Sequence, residues 1–107
     1  GIYKSSDGGA SWKKLSISQL PKKYGVGDIL VDPRNSNVIY VATVDYFRLF
    51  TVRGFVGDHG VYVSRDSGNS WQPFNEGLGH AGAFALELDD DILYVGTRGG
   101  GIYWRKV

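Results

Sequence analysis

Apolar residues in this chain come in short runs, and Gly, Asp, Asn or Pro cuts the runs apart. Some runs alternate apolar with polar residues, as Leu86-Glu87-Leu88-Asp89 does. Alternation with a period of two marks a strand with one buried face. Short β-branched or aromatic runs between turn residues mark strands too. No stretch sustains the i, i+3, i+4 spacing of a helix. The pattern predicts nine strands, at 1–5, 11–17, 29–32, 38–43, 60–65, 70–75, 84–89, 92–97 and 101–106, and so an all-β fold.

The runs also repeat, which decides more than any single strand does. Residues 1–12 read GIYKSSDGGASW and residues 60–71 read GVYVSRDSGNSW. A third start stands at Gly101-Ile102-Tyr103, after which Trp104-Arg105-Lys106-Val107 departs from the pattern. Between these starts, Val38-Ile39-Tyr40-Val41-Ala42-Thr43 resembles Ile92-Leu93-Tyr94-Val95-Gly96-Thr97.

The octapeptide Ser-x-Asp-x-Gly-x-Ser-Trp occurs at 5–12 and 64–71, each time between two strands. Asp7 and Asp66 can accept hydrogen bonds from the N–H groups of their own turn. Gly9 and Gly68 suit a position with positive φ, where a side chain would clash. Trp12 and Trp71 open the following strand and offer a large flat surface for burial. Ser5, Asp7, Gly9 and Trp12, with Ser64, Asp66, Gly68 and Trp71, are therefore expected to be structural. A calcium loop is the rival reading, and one Asp in each octapeptide is too few ligands for it.

Composition narrows the partners. Gly is 16 of 107 residues and aromatics are 14%, which suits many short strands joined by tight turns. Twelve basic and eleven acidic residues leave a net charge of +1. That balance gives no basic stripe for nucleic acid. No apolar run nears the roughly 18 residues of a membrane span. With no Cys there is neither a disulfide nor a thiolate metal site. Nothing in the pattern calls for a cofactor. The chain starts on Gly1 without a leader-like segment, so a cut end is expected there.

The two octapeptides resemble the Asp-box (BNR) repeats of sialidases, xyloglucanase-type glycoside hydrolases, sortilin-type receptor propellers and the photosystem II stability/assembly factor. The phrase running from Val31-Asp32-Pro33-Arg34-Asn35 to Val41-Ala42-Thr43 is similar to a linker common in the last three groups. The resemblance covers nearly all of the chain outside 44–58. It implies a β-propeller, whose blades are four-stranded antiparallel sheets with strands A to D from the axis outward. Residues 1–107 then run C, D, A, B, C, D, A, B, C: about two blades, expected to be the C-terminal part of a larger ring. Two blades leave broad apolar faces that need covering. The expected partners are the remaining blades, from the rest of the chain or from another fragment, or copies of the chain itself. The resemblance also suits an extracytoplasmic location.

The repeat starts are 59 residues apart, against about 40–50 in common propeller repeats. The excess sits in one B–C connection: Thr43 to Gly60 is 17 residues, while Thr97 to Gly101 is four. Strand alternation puts D–A and B–C connections on one face and the octapeptide turns on the other. In resembling enzymes the ligand meets the face opposite the Asp-boxes. The insertion on that face carries the candidate ligand contacts Tyr46, Phe47, Arg48, Phe50, Arg53, Asp58 and His59. Aromatic platforms with Arg and Asp suit sugar stacking or protein docking. A hairpin extension that buries itself is the plainer reading.

Asp28, Asp45, Asp58 and Glu76 are acids of the same face, and glycoside hydrolysis needs a facing pair. Nothing in their spacing sets a pair apart, and solvated loop charge accounts for each. His59 and His80 form no metal signature. The first expectation is a non-catalytic scaffold or binding propeller, engaging a protein or glycan through the face carrying 44–59. The alternative is a fragment of an Asp-box glycoside hydrolase, xyloglucanase- or sialidase-like, with its catalytic groups largely in missing blades.

Overall fold

The computed structural model describes residues 1–15, 18–20, 25–44, 60–74, 76, 78, 83–97 and 101–107. Among these it is all-β and has no helix. The strands are β1 (Tyr3–Lys4), β2 (Lys13–Lys14), β3 (Gly25–Val31), β4 (Ile39–Val44), β5 (Val61–Ser64), β6 (Gln72–Pro73), β7 (Ala83–Asp89), β8 (Ile92–Thr97) and β9 (Ile102–Lys106). They form three antiparallel sheets, ordered β1-β2, β3-β4-β5-β6 and β7-β8-β9. Each strand pairs with its neighbour in sequence, and the whole fits a β-propeller fragment that is not closed.

The three sheets stack through two apolar layers. Tyr40, Ala42, Val61 and Val63 of the central sheet meet Ala83, Leu86, Leu93 and Val95 of the third. From its other side, Val41, Tyr62 and Trp71 meet Ile2 and Leu20, with Leu15 and Ile39 packed against them. This is why β4 and β5 are buried almost without a break: alternate residues face opposite layers and both layers are dry. An antiparallel sheet with one wet face would alternate instead.

Strand ends depart furthest from the sequence pattern around the octapeptides and at the start of β3, each for a physical reason. The strands flanking the octapeptides are short, β1 and β2 two residues each. There Ser5, Asp7 and Ser11 bond to one another rather than to a ladder. The inner strand begins at Gly25 rather than at 29, because it continues through a bulge between Val26 and Asp28. A matching bulge lies between Ala83 and Ala85 in β7. Gly27 lets the two inner strands touch: a Cβ there would stand 2.8 Å from the Ala83 carbonyl oxygen and 2.9 Å from Phe84 Cα.

Candidate functional site

The octapeptide turns close on themselves. Asp7 accepts the Ser5 hydroxyl at 2.8 Å, the Ser11 amide at 2.9 Å and the Ser11 hydroxyl at 2.6 Å. Asp66 accepts the Ser64 hydroxyl at 2.8 Å, the Ser70 amide at 2.8 Å and the Ser70 hydroxyl. The amides of Gly9 and Gly68 each donate to the first serine of their turn at 2.8 Å, with φ near +96° and +94°. The second serine's hydroxyl, its amide and then the first serine's hydroxyl hold both carboxyls down at about 2. These charges are already matched by local donors and offer little to a ligand.

Trp71 lies 2% exposed between the first and central sheets, its indole N–H donating to the Gly68 carbonyl at 3.0 Å. Trp12, at the same place in the first turn, is 63% exposed on the outer side of the β1-β2 hairpin. The burial expected of both holds for the one with a sheet on either side.

Ser67 ties the second turn to the β3–β4 connection, its amide on the Asn37 carbonyl at 3.0 Å and its hydroxyl on Asn37 Oδ1 at 2.7 Å. Octapeptide turns and A–B connections therefore share one end of the stack. At that end Asp32, held by Arg34, has its carboxyl below the usual range, and Arg34 also reaches Asp90 of the neighbouring sheet at 3.7 Å. Asp91 pairs with Lys106 at 3.4 Å, so two members of the Asp89-Asp90-Asp91 run have cationic partners.

The opposite end is built on a repeated clasp. Thr43 donates its amide to the Gly60 carbonyl at 2.7 Å, and its hydroxyl exchanges bonds with the Gly60 carbonyl and amide at 3.0 and 2.9 Å. In the third sheet the Thr97 amide and hydroxyl donate to the Gly101 carbonyl at 3.1 and 2.7 Å. One clasp closes a sixteen-residue connection and the other a three-residue one, at equivalent points. The insertion therefore leaves and re-enters the sheet at a fixed place on this end. Tyr46, Phe47, Arg48, Phe50, Arg53, Asp58 and His59 lie outside the described residues, as do Asp45 and His80.

Asp28 belongs to β3 rather than to a loop, and its carboxylate links two sheets. Oδ1 accepts the Ile29 amide at 2.8 Å and Oδ2 accepts the Leu86 amide at 2.9 Å. Ile29 and Leu86 hold equivalent places in their strands, so one carboxylate bridges a pair of repeat-related amides. Both oxygens are engaged, which suits a positioning role better than acid–base chemistry. Glu76 is exposed. It lines, with Val61, Phe74, Leu78, Val95 and Tyr103, a cleft of about 120 Å³ between the central and third sheets, next to Arg105. The Arg105 guanidinium sits 3.9 Å over the Phe74 ring. Sequence patterning missed this cleft.

Among the described residues, no three His, Asp or Glu side chains gather as a metal site. No helix there is long and apolar enough to cross a membrane.

No protein-family model matches the sequence. Over 95 residues the chain is 30% identical to an oligoxyloglucan-reducing end-specific xyloglucanase of Emericella nidulans. The match takes in 87% of this chain and 9% of that protein, so the chain spans about a tenth of its relative's length.

Proposed function

We propose that this chain is part of an Asp-box (BNR) propeller that binds a glycan through the face carrying residues 44–59. The observation that carries the reading is the pair of Thr–Gly clasps. They hold the sheet unchanged around a connection of three residues or of sixteen, which frees the longer one for recognition. Its composition suits sugar: Tyr46, Phe47 and Phe50 offer stacking faces, and Arg48, Arg53, Asp58 and His59 offer hydrogen bonds. The xyloglucanase similarity supports a xyloglucan-type oligosaccharide as the ligand. A protein ligand fits the same loop chemistry without that support.

The second reading, part of a glycoside hydrolase, rests on the same similarity. Hydrolysis needs two carboxyl groups across the scissile bond, about 5–9.5 Å apart. Asp28 is tied to two amides, so a pair must draw on Asp45, Asp58, Glu76 or residues beyond this chain. We place binding first for that reason.

Replacing 44–59 with the three residues Arg98-Gly99-Gly100 tests both readings. The shortened chain is expected to keep its β circular dichroism and to lose oligoxyloglucan binding in calorimetric titration. Binding that survives the replacement would refute the loop as the contact. Release of sugar from oligoxyloglucan by the intact chain would move the conclusion to the hydrolase.

A further inference from the structure

Two of the sheets have an inner edge. β3 opens the central sheet and β7 the third, and among the described residues no strand pairs with either on the side away from its partner. Both strands are interior to the chain. They lie side by side where Gly27 meets Ala83 and Phe84.

The hydrogen bonds at the ends of these sheets fix which amides face the inner edges. Successive residues of an antiparallel ladder point their N–H groups to opposite sides. The Asp32 amide donates to the Val38 carbonyl, so the amides of Leu30 and Asp28 also face β4. Those of Ile29 and Val31 are left on the inner edge. In the third sheet Thr97 donates toward β9, so Gly96, Tyr94 and Ile92 face β7. Their partners Ala85, Glu87 and Asp89 face back, and the Leu86 amide points to the inner edge.

An N–H group on an unpaired edge still needs an acceptor. Asp28 supplies one to each sheet, Oδ1 to the Ile29 amide at 2.8 Å and Oδ2 to the Leu86 amide at 2.9 Å. Among the described residues no Lys or Arg pairs with this carboxylate, so main-chain donors hold its charge there. Converging backbone N–H groups bind anions in this way, and the charge strengthens each bond. The repeat itself does not demand an acid, since Ala85 stands at the equivalent place in β7.

We propose that the edge amides of Ile29 and Leu86 form a binding site for a small carboxylate, and that the Asp28 side chain is its built-in occupant. The ligand fits by carrying two oxygens on one flat group, one for each sheet. Asp28 pairs with Ala42, next to Thr43, so the site sits beneath the end of the sheet from which 44–59 departs. It does not depend on what that connection recognises.

Asp28→Ala on the intact chain tests the site, with formate, which matches the carboxylate removed, as the probe. Ala85 shows that alanine suits this place in the strand. The variant's urea midpoint should fall, and formate should raise it again in a saturable manner. The midpoint of the unaltered chain in formate, and of the variant in chloride at equal ionic strength, should not move. In the variant, the Ile29 and Leu86 amide resonances should shift along one common formate curve. Formate that moves neither amide or only one, or that raises both midpoints alike, would overturn the proposal. The unaltered chain gives a second reading by hydrogen exchange. Val31, on the same edge, should exchange at least about tenfold faster than Ile29 and Leu86. Equal exchange at the three amides would also overturn the site.

Discussion

At the scale of residues, Asp66 governs how the fold answers to acid. Its unfolded carboxyl titrates near ~3.9, whereas the folded one is held at about 2 by Ser70 and Ser64. A depressed folded pKa contributes stability that is complete above the unfolded value. That contribution drains away as pH falls through the folded value. The urea midpoint is therefore expected to drop between about pH 4 and pH 2, and Asp66→Asn should flatten that drop and lower the midpoint at neutral pH. Asp7, with the same donors, adds to the slope. The turn was legible in the sequence because its partners lie within four residues of Asp66. Asp28 was not, since the amide it holds on Leu86 is 58 residues away. Residue type alone made it one acid among four.

At the scale of elements, the order of strands followed from the repeat, while their ends followed from contacts the repeat does not encode. Gly25-Val26-Gly27 reads as loop, since Gly is a poor strand former. It is strand because Gly27 abuts the backbone of Ala83 and Phe84. Gly27→Ala places a methyl against backbone that cannot swing aside. It should cost about 1–3 kcal/mol, read as a lower urea midpoint with an unchanged m-value. The insertion was legible as an interruption of the period. The clasp at its base was not, because Thr43 and Gly60 are ordinary strand and turn residues until the fold brings them together.

At the scale of the whole molecule, exposure follows position in the stack rather than residue type. Ile102 and Trp104 stand where Val61 and Val63 do one sheet earlier; Trp104 is 67% exposed and Val63 1%. Tyr3 and Trp12 are exposed where Tyr62 and Trp71 are buried. A repeat architecture behaves in this way, because each unit is buried only by its neighbours. Trp71→Ala is expected to cost about 3–5 kcal/mol. The same change at Trp12 or Trp104 should stay within about 0.5 kcal/mol in this chain. Comparison of the three urea midpoints checks the pattern. In the proposed larger propeller, neighbouring blades cover these faces, and the two cheap substitutions become expensive ones.

The Thr–Gly clasp carries a consequence for how such a protein can change. Lengthening a closed loop costs only the logarithm of its length, about 1.5 kcal/mol between three and sixteen residues. With the junction fixed by hydrogen bonds, new sequence spliced there leaves strand register untouched. Mutation can therefore revise the sequence between Thr43 and Gly60 freely, while the layers beneath stay under the constraint of close packing.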